Sequence, residues 1–152
     1  MSDRLRREIA IERELLNRLL VNHRELMERC AEREPDSVEI SALAAMLHSF
    51  YTGLENAFKR VAVHLDRALP EGPAWHSRLL ERMAEPTRQR RSVISQGLRD
   101  RLRPYMAFRH KFRHTYSFDL RWSQMKPLVV ECEDVLRQAE TELDEFLDCL
   151  NK

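Results

Sequence analysis

The stretch DSVEISALAAMLHSFYTGLENAFKRVAVHL, residues 36–65, sets the fold class. Leu43, Leu47, Phe50, Leu54, Phe58, Val61 and Leu65 recur every three or four residues, the spacing that gathers apolar side chains on one helical face. Asp36 stands where an N-cap belongs, and Glu39 follows three residues on, the pattern of a capping box. The run therefore predicts one long amphipathic helix that starts at Asp36 and ends before Pro70.

The same period continues on both sides. From about Asp3 to Arg33, residues Ile9, Leu16, Leu19, Leu20, Met27 and Cys30 lie at helical spacing, and Glu34-Pro35-Asp36 closes that helix. Two long helices joined by so short a turn should pack antiparallel. Downstream, Pro70-Glu-Gly-Pro73 is the strongest break, and Pro73 suits the first turn of a short helix carrying Trp75, Leu79, Leu80 and Met83. Trp75 reads as core. Pro86 to Arg91 is a polar connection, and Ser95 caps a fourth helix through Leu98 and Leu102. Pro104 should kink or restart that helix, making Tyr105–Tyr116 a short helix of its own. A last helix runs from about Ser123 to Cys149 with Leu128, Cys132, Leu136, Leu143, Phe146 and Leu150 on one face. The expectation is an all-α, up-and-down bundle of four to five helices forming a single domain over residues 1–152.

Composition agrees and excludes several classes. Apolar residues make up 43% and charged residues 34% of 152, with only three glycines, which is the make-up of a globular helical chain. No run approaches ~18 apolar residues, so no membrane span is expected. The start of the chain is charged rather than a secretory leader, which points to the cytoplasm. Cys30, Cys132 and Cys149 are too few and too scattered for a disulfide framework or a zinc site, and read as small core residues. Three glycines could hardly build a phosphate-cradling loop, and no nucleophile elbow occurs.

A net charge of +1 hides an uneven distribution. Between Arg88 and Arg121, nine arginines and Lys111 face only Asp100 and Asp119, a net +8, which leaves −7 for the rest. A basic segment of this kind marks a phosphate-bearing partner, or else a face laced with ion pairs.

Inside that segment lies Phe108-Arg109-His110-Lys111-Phe112-Arg113-His114-Thr115-Tyr116. Histidine titrates near neutrality and can take a proton from a ribose 2′-hydroxyl or give one to a leaving oxygen. Arginine can grip two phosphate oxygens as their charge grows. Arg109 and His114 are therefore the candidate catalytic pair, with His110, Lys111 and Arg113 as phosphate-binding neighbours. At ~100° per residue, Arg109 and His114 sit roughly 140° apart on a straight helix, whereas Arg109 and Tyr116 fall within roughly 20°. The pair converges only if the helix ends near His114 or a second copy faces the first, and the latter predicts a symmetric dimer. His110 and His114 share a helix face, but no carboxylate or cysteine nearby completes a metal site. Glu55 either reaches the motif arginine or, more simply, pairs with Lys59 at i+4. His23 and His48 read as packing histidines.

The spacing Arg109-x-x-x-x-His114-x-Tyr116 resembles the motif of HepT toxins within the HEPN superfamily of helical ribonucleases. The likeness extends to Tyr51-Thr-Gly-Leu-Glu55 and to Trp75-His76 followed by Leu79-Leu80. The resemblance implies a homodimeric HEPN-like bundle that cleaves RNA without metal or other cofactor, the arginine and histidine of both subunits lining one cleft. It also implies a partner, a small MntA-type nucleotidyltransferase antitoxin, that silences the toxin by adding AMP to Tyr116, as in a type VII toxin–antitoxin pair. The alternative is a non-catalytic HEPN module that binds a nucleotide or that nucleotidyltransferase through the same cleft.

Overall fold

The computed structural model describes residues 2–150 and is all-helical, with no strand among the described residues. Its elements are α1 (Ser2–Glu32), α2 (Ser37–Val61), a π-helical turn (Ala62–Asp66), α3 (Trp75–Met83), α4 (Gln96–Arg113), a 3₁₀ turn (Ser117–Asp119) and α5 (Trp122–Cys149). No helix among the described residues is long and apolar enough to cross a membrane.

The expected start of α2 is present in full. Asp36 accepts from the Glu39 N–H at 2.9 Å, and the Glu39 carboxylate accepts from the Asp36 N–H at 3.0 Å. Arg33 and this backbone bond together hold the Glu39 carboxyl down at about 2. At its other end α2 widens into the π-helical turn and stops at Arg67, whose φ of 58° is left-handed.

Cross-helix contacts give the topology. Leu16 of α1 faces Gly53 of α2, Arg29 meets Glu39, and Glu8 meets His64 in the π-helical turn that continues α2, so α1 and α2 run antiparallel. Between α1 and α5, Arg6 meets the Leu147 carbonyl, Arg13 meets Glu140 and Arg24 meets Glu133, again antiparallel. Phe112 lies by His48 and Arg109 by Thr52, which sets α4 antiparallel to α2. Ser95 meets Glu142, Arg101 meets Gln138 and Tyr105 meets the Leu128 carbonyl, which sets α4 antiparallel to α5. The four long helices thus close an up-down-up-down bundle, with α3 laid against α2 and α4. Leu5, Ile9, Leu20, Leu47, Phe50, Phe58, Leu98, Leu102, Leu136 and Phe146 fill its interior.

Three local expectations are corrected. Pro104 lies inside an unbroken α4 and is solvent-exposed. Leu102, Tyr105 and Phe108 anchor the inner face on both sides of it. Their burial outweighs the lost hydrogen bond, which costs ~3 kcal/mol, because the proline ring points to water. Trp75 is only half-buried, since it opens α3 at the rim and packs its ring beside His76 and under Lys59. Cys30 and Cys132 are core residues as read, but Cys149 at the end of α5 is exposed and accepts from Arg91.

The connection from α3 to α4 is ordered by one arginine. The Arg90 side chain is fully buried, forks onto Asp66 at 2.8 and 2.9 Å and also donates to the carbonyls of Glu85 and Arg91. Val93 and Ile94 close the loop onto the Met83 carbonyl. This fixes where α3 sits, and α3 forms one wall of the cleft described next.

Candidate functional site

Arg109 occupies a core-facing position of α4, four residues after Tyr105 and seven after Leu102, so the helix period itself drives its guanidinium inward. A cation at that depth needs a charge partner and saturated hydrogen bonds. Glu55, at a core-facing position of α2, meets Arg109 Nη2 at 2.8 Å, and both side chains are under 5% exposed. Arg109 Nη1 donates to Thr52 Oγ1 at 3.3 Å, while the Thr52 hydroxyl donates to the His48 carbonyl. The guanidinium lies over the Tyr51 ring, 4.8 Å from its centroid, a cation–π contact on the remaining face. Tyr51 itself is buried with no partner for its hydroxyl among the described residues, and burial pushes its ionisation well above the usual range.

The third helix completes the cluster. His76 Nδ1 lies 2.8 Å from Glu55 Oε2 and 2.9 Å from Arg109 Nη2. Glu55 is thus tied to Arg109 and His76 rather than to Lys59, which corrects the i+4 reading. Lys59 instead covers the Trp75 ring. The physical reason is the register of α2: Glu55 lies one turn past Tyr51 on the buried face, out of reach of bulk water.

On the open side of this cluster lies a cleft of about 260 Å³ between the start of α3 and the second half of α4. His76, Ser77, Met106, Arg109, His110 and Arg113 line it. Two of the sequence-predicted phosphate binders, His110 and Arg113, therefore share a wall with Arg109. Lys111 projects the other way and donates to Gln124 at 2.9 Å. His114 is the exposed C-cap residue of α4; it does not line the cleft, and its ring sits 5.0 Å from that of His110. α4 ends at Arg113, so the helix does stop at His114 as one of the two routes to convergence requires, yet His114 is not among the residues that line the cleft beside Arg109. Tyr116 is 74% exposed and stacks in parallel on Phe118 at 5.3 Å. His23 bonds the Leu19 carbonyl and His48 packs on Phe112, both as packing histidines. Burial and the nearby charges of Arg113 and Arg109 hold His48 below the ordinary histidine value.

Ion pairing absorbs much of the basic segment. Arg90, Arg99, Arg101, Arg103 and Arg109, five of its nine arginines, hold carboxylates. What remains open at the cleft is one guanidinium, Arg113, beside two histidines, a small and specific set rather than a broad patch. Among the described residues, no three His, Cys, Asp or Glu side chains gather to hold a metal ion.

The sequence reading missed His76 as a site residue and undervalued Glu55. Two signals were available: Glu55, a carboxylate on the apolar face of α2 in a chain whose motif arginine falls on the apolar face of α4, and the Trp75-His76 pair in the family likeness.

Comparison with curated proteins and with solved structures returned no match. A family model described as HepT-like protein matches residues 42–150, which takes in α2 from its second turn, the whole cleft and α5. On that match, the chain belongs to the HepT-like family of the HEPN superfamily.

Proposed function

We propose that this chain is a metal-independent endoribonuclease of the toxin type, acting on RNA through Arg109 and His114. The observation that carries the reading is the guanidinium of Arg109, locked by three helices on the wall of a cleft that also holds two histidines and Arg113. A preorganised cation of this kind stabilises charge as it develops on a phosphorane, without reorganising at the moment of reaction. The ribose 2′-oxygen attacks phosphorus, histidine moves the protons, and the products are a 2′,3′-cyclic phosphate and a 5′-hydroxyl. The side chains at the cleft support chemistry without a metal: its described lining holds no carboxylate, and Glu55 behind it is already committed to Arg109 and His76.

His114 lies outside the lining of its own cleft, and we assign it to the cleft of a second copy in a symmetric homodimer. Lys111 and the stacked Tyr116 and Phe118 then offer a cation and flat faces for single-stranded bases beside the scissile linkage. The exposed Tyr116 is the acceptor of AMP from a cognate MntA-like nucleotidyltransferase. The added anions cancel the cleft's positive charge and obstruct RNA. The chain acts as one HEPN-like domain in the cytoplasm.

One observation favours a second reading, a non-catalytic module that binds a nucleotide or the nucleotidyltransferase: Arg109 is fully paired with Glu55 and could serve structure alone. Replacing His114 with Ala separates the two. An exposed surface change alters stability by no more than ~0.5 kcal/mol, while loss of a proton-transfer group lowers cleavage at least ~100-fold. A His114→Ala protein that cuts RNA at the wild-type rate removes His114 from the mechanism.

A further inference from the structure

We propose that His76 is the proton-accepting residue of the cleft and that Glu55 positions it; this rests on the ribonuclease reading above. A single imidazole nitrogen cannot donate to Glu55 and accept from Arg109 at once, although His76 Nδ1 is within 3 Å of both. The carboxylate oxygen is an acceptor only, and its charge favours the bond in which Nδ1–H donates to it. Glu55 Oε2 then accepts from both Arg109 and His76, and the tautomer is fixed. The proton sits on Nδ1, and Nε2 keeps its lone pair. Among the described residues Nε2 has no hydrogen-bond partner, and it is not sealed from solvent. The side chain is 27% exposed, and His76 is one of the residues that line the cleft. A carboxylate behind the imidazole of a cleft-lining histidine, with the far nitrogen left unbonded, is the arrangement of an oriented general base.

The charged and titratable groups around His76 are Glu55 from α2 and Arg109, His110 and Arg113 from α4, with Lys59 beyond them over the neighbouring Trp75 ring. The step then balances. The 2′-oxygen forms a bond to phosphorus as its proton passes to His76 Nε2. The phosphorus–5′-oxygen bond breaks, and the 5′-oxygen takes a proton from His114 in its imidazolium form. Arg109 neutralises charge on the non-bridging oxygens throughout. His76 and Arg109 thus act from one protomer and His114 from the other, which gives each histidine of the reaction one direction of proton transfer.

The test compares wild type, His76→Asn and His114→Ala in single-turnover RNA cleavage. Asparagine keeps an N–H near the Nδ1 position for Glu55 but has nothing at Nε2. We expect His76→Asn to lose at least ~100-fold in rate while binding a 2′-deoxy, uncleavable analogue as wild type does, and to lose the acidic limb of the pH–rate profile. A substrate with sulfur in place of the 5′-oxygen leaves without needing a proton. It should restore His114→Ala and leave His76→Asn slow. His76→Asn cleaving like wild type, or restored as fully as His114→Ala, overturns the assignment. If His76→Asn does not fold, the ¹⁵N shifts of His76 in wild type decide: a protonated Nδ1 and bare Nε2 are expected, and a proton on Nε2 overturns it. Wild type that cuts no RNA overturns the ribonuclease reading itself, which is a different result from an active wild type with an active His76→Asn.

Discussion

Arg109 carries its charge below the surface, and the residues around it follow from that single fact. Glu55 neutralises it, Thr52 and His76 take up its hydrogen-bonding neighbourhood, and Tyr51 offers a ring face. Removing one partner of a buried pair leaves an uncompensated charge, so Glu55→Ala should lower unfolding stability by ~3–5 kcal/mol, measured by urea denaturation. Tyr51 presents the opposite case. Its hydroxyl is buried without a partner among the described residues, so Tyr51→Phe should raise stability by ~1 kcal/mol or leave it unchanged in the same experiment. A clear loss would mean that the hydroxyl holds a partner. His48 makes a pH prediction. Its folded-state value is lowered by burial and by Arg113 and Arg109, so between that value and ~6.5 the unfolded chain binds the extra proton. Stability is therefore full above ~6.5 and falls as pH drops through the folded-state value. Thermal melts from pH 7.5 downward should show the decline, and His48→Gln should flatten it. At this scale the motif was legible because Arg109, His114 and Tyr116 are close in sequence. The Arg109–Glu55–His76 cluster was not, because it exists only once three helices meet.

Helices and their joints account for the next level. Pro104 shows tertiary packing overriding a local rule: the sequence predicts a break, and α4 runs through it. Pro104→Ala should thus restore a backbone hydrogen bond at an exposed site and raise the melting temperature, by an amount that corresponds to ~1–3 kcal/mol. Gly53 makes the reverse prediction. A Cβ there would lie 2.6 and 2.9 Å from Leu16 Cδ2 and Cγ, inside the packed seam of α1 and α2. Alanine gains ~1 kcal/mol of helix propensity, but overpacking costs ~1–3 kcal/mol, so Gly53→Ala should be net destabilising or neutral. The α2 start was legible to the residue, because a capping box is a local device encoded by Asp36 and Glu39 alone. The seating of α3 was not, because it depends on Arg90 reaching Asp66 across 24 residues.

At the scale of the whole molecule, four antiparallel helices and one short lateral helix build a cleft with His76, Arg109, His110 and Arg113 on its walls. The all-helical class and up-and-down order could be read from apolar spacing, since amphipathic helices joined by short turns admit few other arrangements. The depth of the cleft and the pairing of five arginines could not, because net charge says nothing of which carboxylates come near. If Lys111 and Arg113 each hold one phosphate of single-stranded RNA, the logarithm of RNA affinity should fall against that of salt with a slope of about −1.4. A flat line would remove them from the RNA interface. The most direct test of the central claim is the chemistry of the ends left on RNA. Purified protein, incubated with RNA in excess EDTA, should leave 2′,3′-cyclic phosphates and 5′-hydroxyls, as attack by the internal 2′-oxygen requires. Intact RNA, or fragments with 3′-hydroxyl and 5′-phosphate ends, would contradict the account.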